Sequence, residues 1–170
     1  KYGAEALRYY LMSDIVTGKD SDFSEERLIA RYNGDLANSL GNLLNRTLNM
    51  MHRYTKGRVD VRSEAAAEIE EDPMHWGKAV AVYRHELDQF LIHTALDVAL
   101  GCAVLSNQFI EEQKPWVMVK TLNQDQALTD TLYTLAESLR LIAILVSPIL
   151  PRAAQGIHNQ LNWTTQLSNE

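Results

Sequence analysis

A single cysteine, Cys102, is all the sequence offers to thiol chemistry. It excludes an intramolecular disulfide and leaves no cysteine spacing for a zinc site. Flanked by Leu100, Ala103 and Val104, it reads as a small core residue, and a reducing, intracellular setting fits. Long apolar runs are missing too. The longest, Leu139 to Leu150, is interrupted by Arg140, Ser147 and Pro148 and is too short to span a bilayer. No signal peptide is visible, so no membrane partner is expected. There is no P-loop, no G-x-G-x-x-G fingerprint, no nucleophile elbow and no H-E-x-x-H pair. A di-iron site needs paired Glu-x-x-His motifs on facing helices. The nearest match, Asp72-Pro73-Met74-His75, is single and broken by proline. His52, His75, His85, His93 and His158 show no ligand spacing and read as surface or capping residues. No catalytic residue and no metal site is therefore expected in this stretch.

The composition that remains is ordinary for a globular chain. With 170 residues, 46% of them hydrophobic and 22% charged, there is material for one well-packed domain with an appended element. With a start at Lys1 rather than methionine, a piece of a longer protein is expected, with the missing part as a candidate place for the chemistry. The net charge of −6 does not advertise nucleic-acid binding, but the distribution is uneven. Arg46, Arg53, Lys56, Arg58 and Arg62 face one acidic neighbour, Asp60, before Glu64, Glu68, Glu70, Glu71 and Asp72 follow at once. An acidic protein can hold a polyanion on such a local basic surface.

No segment sustains period-two alternation, and the chain reads as helices throughout. Tyr2 to Ser13 is a helix with Ala4, Leu7, Leu11 and Met12 on its apolar flank, followed by a polar loop from Asp14 to Asp22. Ser24 can cap the next helix, with Phe23 and Leu28 as a hydrophobic staple and Glu25 and Glu26 in the positive first turn. That helix bends near Asn33-Gly34 and continues to Lys56-Gly57, where Gly57 suits a left-handed cap. Arg58 to Ser63 is a connector, Glu64 to Glu71 a turn or two of helix, and Asp72-Pro73 a stop. A long pattern runs from Met74 to Gln113. Val80, Val82, Tyr83, Leu87, Phe90 and Leu91 are its apolar residues before a break near Ile92-His93-Thr94; Leu96, Ala99, Leu100, Ala103, Val104, Asn107 and Ile110 follow. Pro115 ends or restarts the helix. Gln126 to Val146 is strongly amphipathic, with Leu128, Leu132, Leu135, Leu139, Ile142 and Leu145 inward; Pro148 and Pro151 then lead into a last short helix, Arg152 to Leu161. The expected fold is all-α, an up-and-down bundle of about five main helices. The expected division is a connecting helix and loop (1–23), the bundle (24–161) and a tail (162–170).

One stretch stands apart. From Asp35 to Arg53, Leu36, Leu40, Leu43, Leu44, Met51 and Tyr54 gather on one side of the helix. Asn38, Asn42, Asn45, Arg46, Asn49 and Arg53 fall within an arc of roughly 100° on the other. Asparagine is a poor helix former because its short amide competes for backbone hydrogen bonds. Four amides and two guanidiniums in one stripe cost helix stability, so either the solvated face is merely Asn-rich or it recognises something planar and polar. Trp116, directly after Pro115 at a helix boundary, is the second feature. It either tucks over the bundle end or offers an indole on which an unpaired base stacks for roughly 1–3 kcal/mol. Amides and guanidiniums read base edges and phosphates, and single-stranded loops expose both faces and edges of their bases.

At these residues the chain resembles a known family. Asp35-Leu-Ala-Asn-Ser-Leu-Gly-Asn-Leu-Leu-Asn-Arg46 is similar to the anticodon-binding helix of methionyl-tRNA synthetases, and Asn107-Gln-Phe-Ile-Glu-Glu-Gln-Lys-Pro-Trp116 to that family's second signature. Tyr2 to Leu11 and Asp22-Phe23-Ser24 resemble segments shared by several class I synthetases, so the bundle of a cysteine or leucine enzyme is the nearest alternative; a helical protein-interaction module is another. The resemblance implies that Asn42, Arg46 and Trp116 contact the anticodon of a methionine tRNA, Trp116 stacking on its first base with Pro115 placing the indole. Asn45, Asn49 and Arg53 are further candidates for RNA contact. The family often has arginine where Gln108 stands here. It also implies a cytoplasmic parent that joins methionine to tRNA with ATP and magnesium, in an upstream catalytic domain of the same chain. The family's ATP, methionine and zinc sites lie in that domain, so this stretch alone is expected to be inactive and to need no cofactor.

Overall fold

The computed structural model describes residues 2–58 and 75–162. Among them there is no strand: the elements are α1 (Gly3–Asp14), α2 (Glu25–Arg31), a π-helical segment (Tyr32–Gly41), α3 (Asn42–Thr55), α4 (Trp76–Asp88), α5 (Ile92–Gln113), α6 (Pro115–Met118), α7 (Asp125–Val146) and α8 (Pro151–Gln160). The expected bundle is present. α2, the π-helical segment and α3 form one uninterrupted helical run, with the bend expected near Asn33-Gly34 realised as a change of helical register. The turns expected at Glu64 to Glu71 and the tail after Asn162 lie outside the described residues.

α5 is the hub, packed against α1, the π-helical segment, α3, α4 and α7. A helix contacted from so many sides needs small side chains, and α5 buries Ala95, Ala99, Cys102, Ala103 and Ser106 beside Leu96, Leu100 and Ile110. α7 supplies the bulk. Leu132, Leu135, Leu139 and Ile142 are fully buried, and Leu128 and Leu145 nearly so, as their spacing requires. Each such side chain contributes about 1.5–3 kcal/mol by leaving water.

Local chemistry fixes the ends of several elements. Ser24 caps α2 through the Arg27 amide, 3.2 Å from its Oγ, and its own amide donates to the Tyr10 hydroxyl at 3.0 Å. Lys56 takes the left-handed conformation at the end of α3 (φ 55°), and Gly57 shares it. α4 closes in a Schellman turn: the Leu91 amide donates to the Glu86 carbonyl at 2.8 Å and the Phe90 amide to Leu87 at 2.9 Å. The break thus falls at residues 89–91, just ahead of the expected place. α8 is capped from a distance by Glu5 of α1, whose carboxylate accepts from the Arg152 and Ala153 amides at 2.6 and 3.2 Å.

Some sequence readings are corrected. The flank of α1 that holds Ala4, Leu7 and Leu11 faces outward, whereas Ala6, Tyr9, Tyr10 and Ser13 are buried. Tyrosine's hydroxyl masks its apolar ring in a periodicity reading, yet both rings are inside because their hydroxyls find partners, Asp35 for Tyr9 and the Ser24 amide for Tyr10. Val82, Leu87, Phe90 and Val104 are exposed. Phe23 is exposed and leans its ring edge-on to Tyr10 at 5.5 Å rather than burying itself as a staple. His158, expected at the surface, is fully buried in the inward face of α8 beside Ala154 and Ile157.

Candidate nucleic-acid interface

Leu40, Leu43, Thr47, Met50 and Met51 anchor the inner side of the helical run in the core. That leaves Asn38, Asn42, Asn45, Asn49 and Arg53 exposed on the opposite side, with Arg46 half-buried among them. The stripe is therefore an outer face, as its spacing requires, and it borders α5. Asn42 Nδ2 donates to Asn107 Oδ1 at 3.5 Å, a long bond. Arg46 Nη2 pairs with Glu111 Oε1 at 2.5 Å. One turn on, Asn49 Nδ2 donates to Asn45 Oδ1 at 2.9 Å. The Arg53 guanidinium lies 5.9 Å from the Tyr54 ring centroid.

Asn107 does more than meet Asn42. Its Nδ2 donates to the Ser39 carbonyl at 3.1 Å and to the Ala103 carbonyl at 2.9 Å. One amide thus ties α5 to the last turn of the π-helical segment. Neither Asn107 nor Glu111 stood out as a site residue in the sequence. Both sit on the outer side of α5, four residues apart, and only the tertiary pairing shows that they complete the face.

The same helix leads to Trp116. α5 ends at Gln113, Lys114 takes a left-handed conformation (φ 50°), and its amide donates to the Ile110 carbonyl at 3.0 Å. Pro115 then opens α6 at the position where a missing amide proton costs nothing, and its ring is buried. Trp116 follows with 37% of its surface exposed, so the indole is seated at the edge of the bundle rather than enclosed. Glu111, the partner of Arg46, lies five residues before it in the last turns of α5.

A polar network lies near the start of the helical run. Tyr9 Oη donates to Asp35 Oδ2 at 2.7 Å, and Arg31 reaches Asp35 at 3.4 Å, Asp97 at 3.7 Å and Asp14 at 3.9 Å. Burial and then the Asp35 bond push the Tyr9 phenol well above its ordinary range. The network joins α1, α2, the π-helical segment and α5. Among the described residues no group of three or more His, Cys, Asp or Glu side chains is placed to hold a metal ion. Nor is any of their helices long and apolar enough to cross a membrane.

Fold and face together define an all-α bundle that presents an amide- and guanidinium-rich surface and, partly exposed, the Trp116 indole. Residues 57–169 match the model of the anticodon binding domain of methionyl tRNA ligase, and residues 1–48 match that of class I (M) tRNA synthetases. The chain belongs to the methionyl-tRNA ligase family. It is 37% identical over 169 residues to the methionine–tRNA ligase of Thermosynechococcus vestitus, covering 99% of this chain and 32% of that protein. Against the Bacillus subtilis methionine–tRNA ligase it is 34% identical over 167 residues, covering 98% of this chain and 25% of that protein. The apo crystal structure of Mycobacterium tuberculosis methionyl-tRNA synthetase is similar, with a TM-score of 0.80 and 30% identity over 91% of this chain and 32% of that one. The chain thus spans about a quarter to a third of the length of these relatives. The family match favours the methionine enzyme over the cysteine or leucine type.

Proposed function

We propose that this chain is the tRNA-selecting part of a cytoplasmic methionine–tRNA ligase, and that Asn42, Arg46 and Trp116 read the anticodon loop. The observation that carries the reading is the shared framework of the three residues. Asn42 and Arg46 lean on Asn107 and Glu111 of α5, and Pro115 and Trp116 follow that helix directly in the chain, on a short helix packed against α7. In this reading Trp116 stacks on the first anticodon base and Pro115 fixes the indole plane. Asn42 and Arg46 hydrogen-bond base edges and phosphate, with Asn45, Asn49 and Arg53 adding contacts along the same face. The parent would join methionine to tRNA at the expense of ATP, with magnesium, in its catalytic domain; the stretch described here would hold neither ligand. Within it, 1–23 would serve as the connection to that domain, 24–161 as the anticodon-binding bundle and 162–170 as a tail.

Trp116→Ala in the full-length ligase is the direct test. Losing a stacked base costs roughly 1–3 kcal/mol, about ten- to a hundredfold in charging efficiency for methionine tRNA. Pyrophosphate exchange, which needs no tRNA, is expected to stay at the wild-type rate. Unchanged charging by a normally folded variant contradicts the role given to Trp116.

A further inference from the structure

We infer that Gly41 is a positioning residue for anticodon reading: it permits the π-helical register that aims Asn42 and Arg46 at α5. The inference rests on the proposed function and extends it to a residue that need not touch RNA.

The backbone of Gly41 (φ −64°, ψ −40°) is ordinary helix, so glycine is not required by its conformation. Glycine in a helix costs stability relative to alanine. What it provides here is proximity. A Cβ at position 41 would lie 3.0 Å from the Leu36 carbonyl oxygen, five residues back along the same helix. That oxygen is backbone, so a Cβ is accommodated only if the helix itself shifts by a few tenths of an ångström. Gly34, in the same π-helical segment, would place a Cβ with nothing within 4 Å. Gly34 is exposed and Gly41 half-buried, so Gly34 serves as the position in this segment where a Cβ meets open space.

The register has consequences because both ends of the segment are pinned. Near its start Asp35 is held by the Tyr9 hydroxyl at 2.7 Å and by Arg31 at 3.4 Å. Near its end the Ser39 carbonyl is held by Asn107 at 3.1 Å. At the junction the Asn42 amide bonds the Ala37 carbonyl, five residues back, as well as that of Ser39. A residue gained or lost from a helical turn rotates everything beyond it by about 100°. Return of the segment to a plain α register, with α2 fixed, turns Asn42 and Arg46 away from Asn107 and Glu111. π-helical turns are rare and frequently lie at functional sites; the side chains immediately downstream here are those of the polar face.

The test uses the full-length ligase and follows tRNA charging and pyrophosphate exchange for Gly41→Ala and Gly34→Ala. Gly41→Ala is expected to raise KM for methionine tRNA about tenfold or more, the scale of a side chain misplaced by an ångström. Exchange should be unchanged, and Gly34→Ala should charge like the wild type. Should Gly41→Ala not fold, Tyr9→Phe, which keeps the ring and removes only the hydroxyl that pins Asp35, is expected to raise the same KM several-fold with exchange intact. Wild-type charging by Gly41→Ala overturns the inference. So does equal damage from Gly34→Ala, or, where Gly41→Ala does not fold, wild-type charging by Tyr9→Phe. Arg46→Gln and Trp116→Ala run alongside: if they too charge normally, the anticodon reading itself fails, whereas if they fail to charge and Gly41→Ala does not, only the register argument falls.

Discussion

Arg46 illustrates how a side chain can be held ready and held back by one contact. Its Nη2 lies 2.5 Å from Glu111, a residue that is itself well exposed. An exposed pair of this kind contributes at most about 1 kcal/mol to folding, because water and salt screen it. Its effect on a ligand is larger in kind. In the proposed reading an anionic RNA competes with Glu111 for the guanidinium and meets the carboxylate's charge at the same place. Glu111→Gln is therefore expected to leave thermal stability nearly unchanged and to tighten tRNA binding several-fold, with the gain shared by non-cognate tRNAs. Filter binding of cognate and non-cognate tRNA to the full-length variant measures both. Weaker binding on neutralising Glu111 contradicts this view of the pair. At this scale the sequence showed the stripe and the tryptophan but not Glu111 or Asn107. Periodicity sorts residues onto faces of one helix and has no means of naming partners 65 residues away.

Among the elements, α7 was legible almost side chain by side chain, since every leucine or isoleucine placed inward by its period is buried there. α1 was not. A helix packed through two tyrosines carries its leucines outside, and a hydrophobicity count follows the leucines. The π-helical segment was visible only as a bend at Asn33-Gly34, because a change of register leaves no separate mark in composition. The Tyr9–Asp35 bond between these two elements gives a pH prediction. The native phenol is pushed up, by burial first and by Asp35 next. Below the ordinary tyrosine value, about 10, both folded and unfolded chains keep the proton and the contribution is whole. As pH rises beyond it the unfolded chain ionises first, so stability falls with pH. Tyr9→Phe should cost about 0.5–1.5 kcal/mol at neutral pH, and its stability should decline less steeply than the wild type's from about pH 9 to about pH 11. Urea unfolding across that range decides it; parallel curves contradict the placement of the phenol.

At the scale of the whole molecule, a net charge of −6 is compatible with the proposed reading of RNA by the polar face, because the face is small and built from amides as much as charges. Attraction to any polyanion is weak on such a surface. Discrimination then rests on hydrogen bonds and stacking, which depend on base identity. The bundle's architecture was legible because its core is made from long amphipathic helices with proline and glycine at their ends. The arrangement of the face was not, since it depends on how α3, α5 and α6 meet. The central claim is that this face distinguishes anticodons, and filter binding of the full-length ligase to methionine tRNA and to single-base anticodon variants tests it most directly. A substitution at the first anticodon base is expected to weaken binding about ten- to a hundredfold, the value of one stacked base. In the Trp116→Ala protein the same substitution should make little further difference. Equal affinity of the wild-type enzyme for all of these tRNAs contradicts the account.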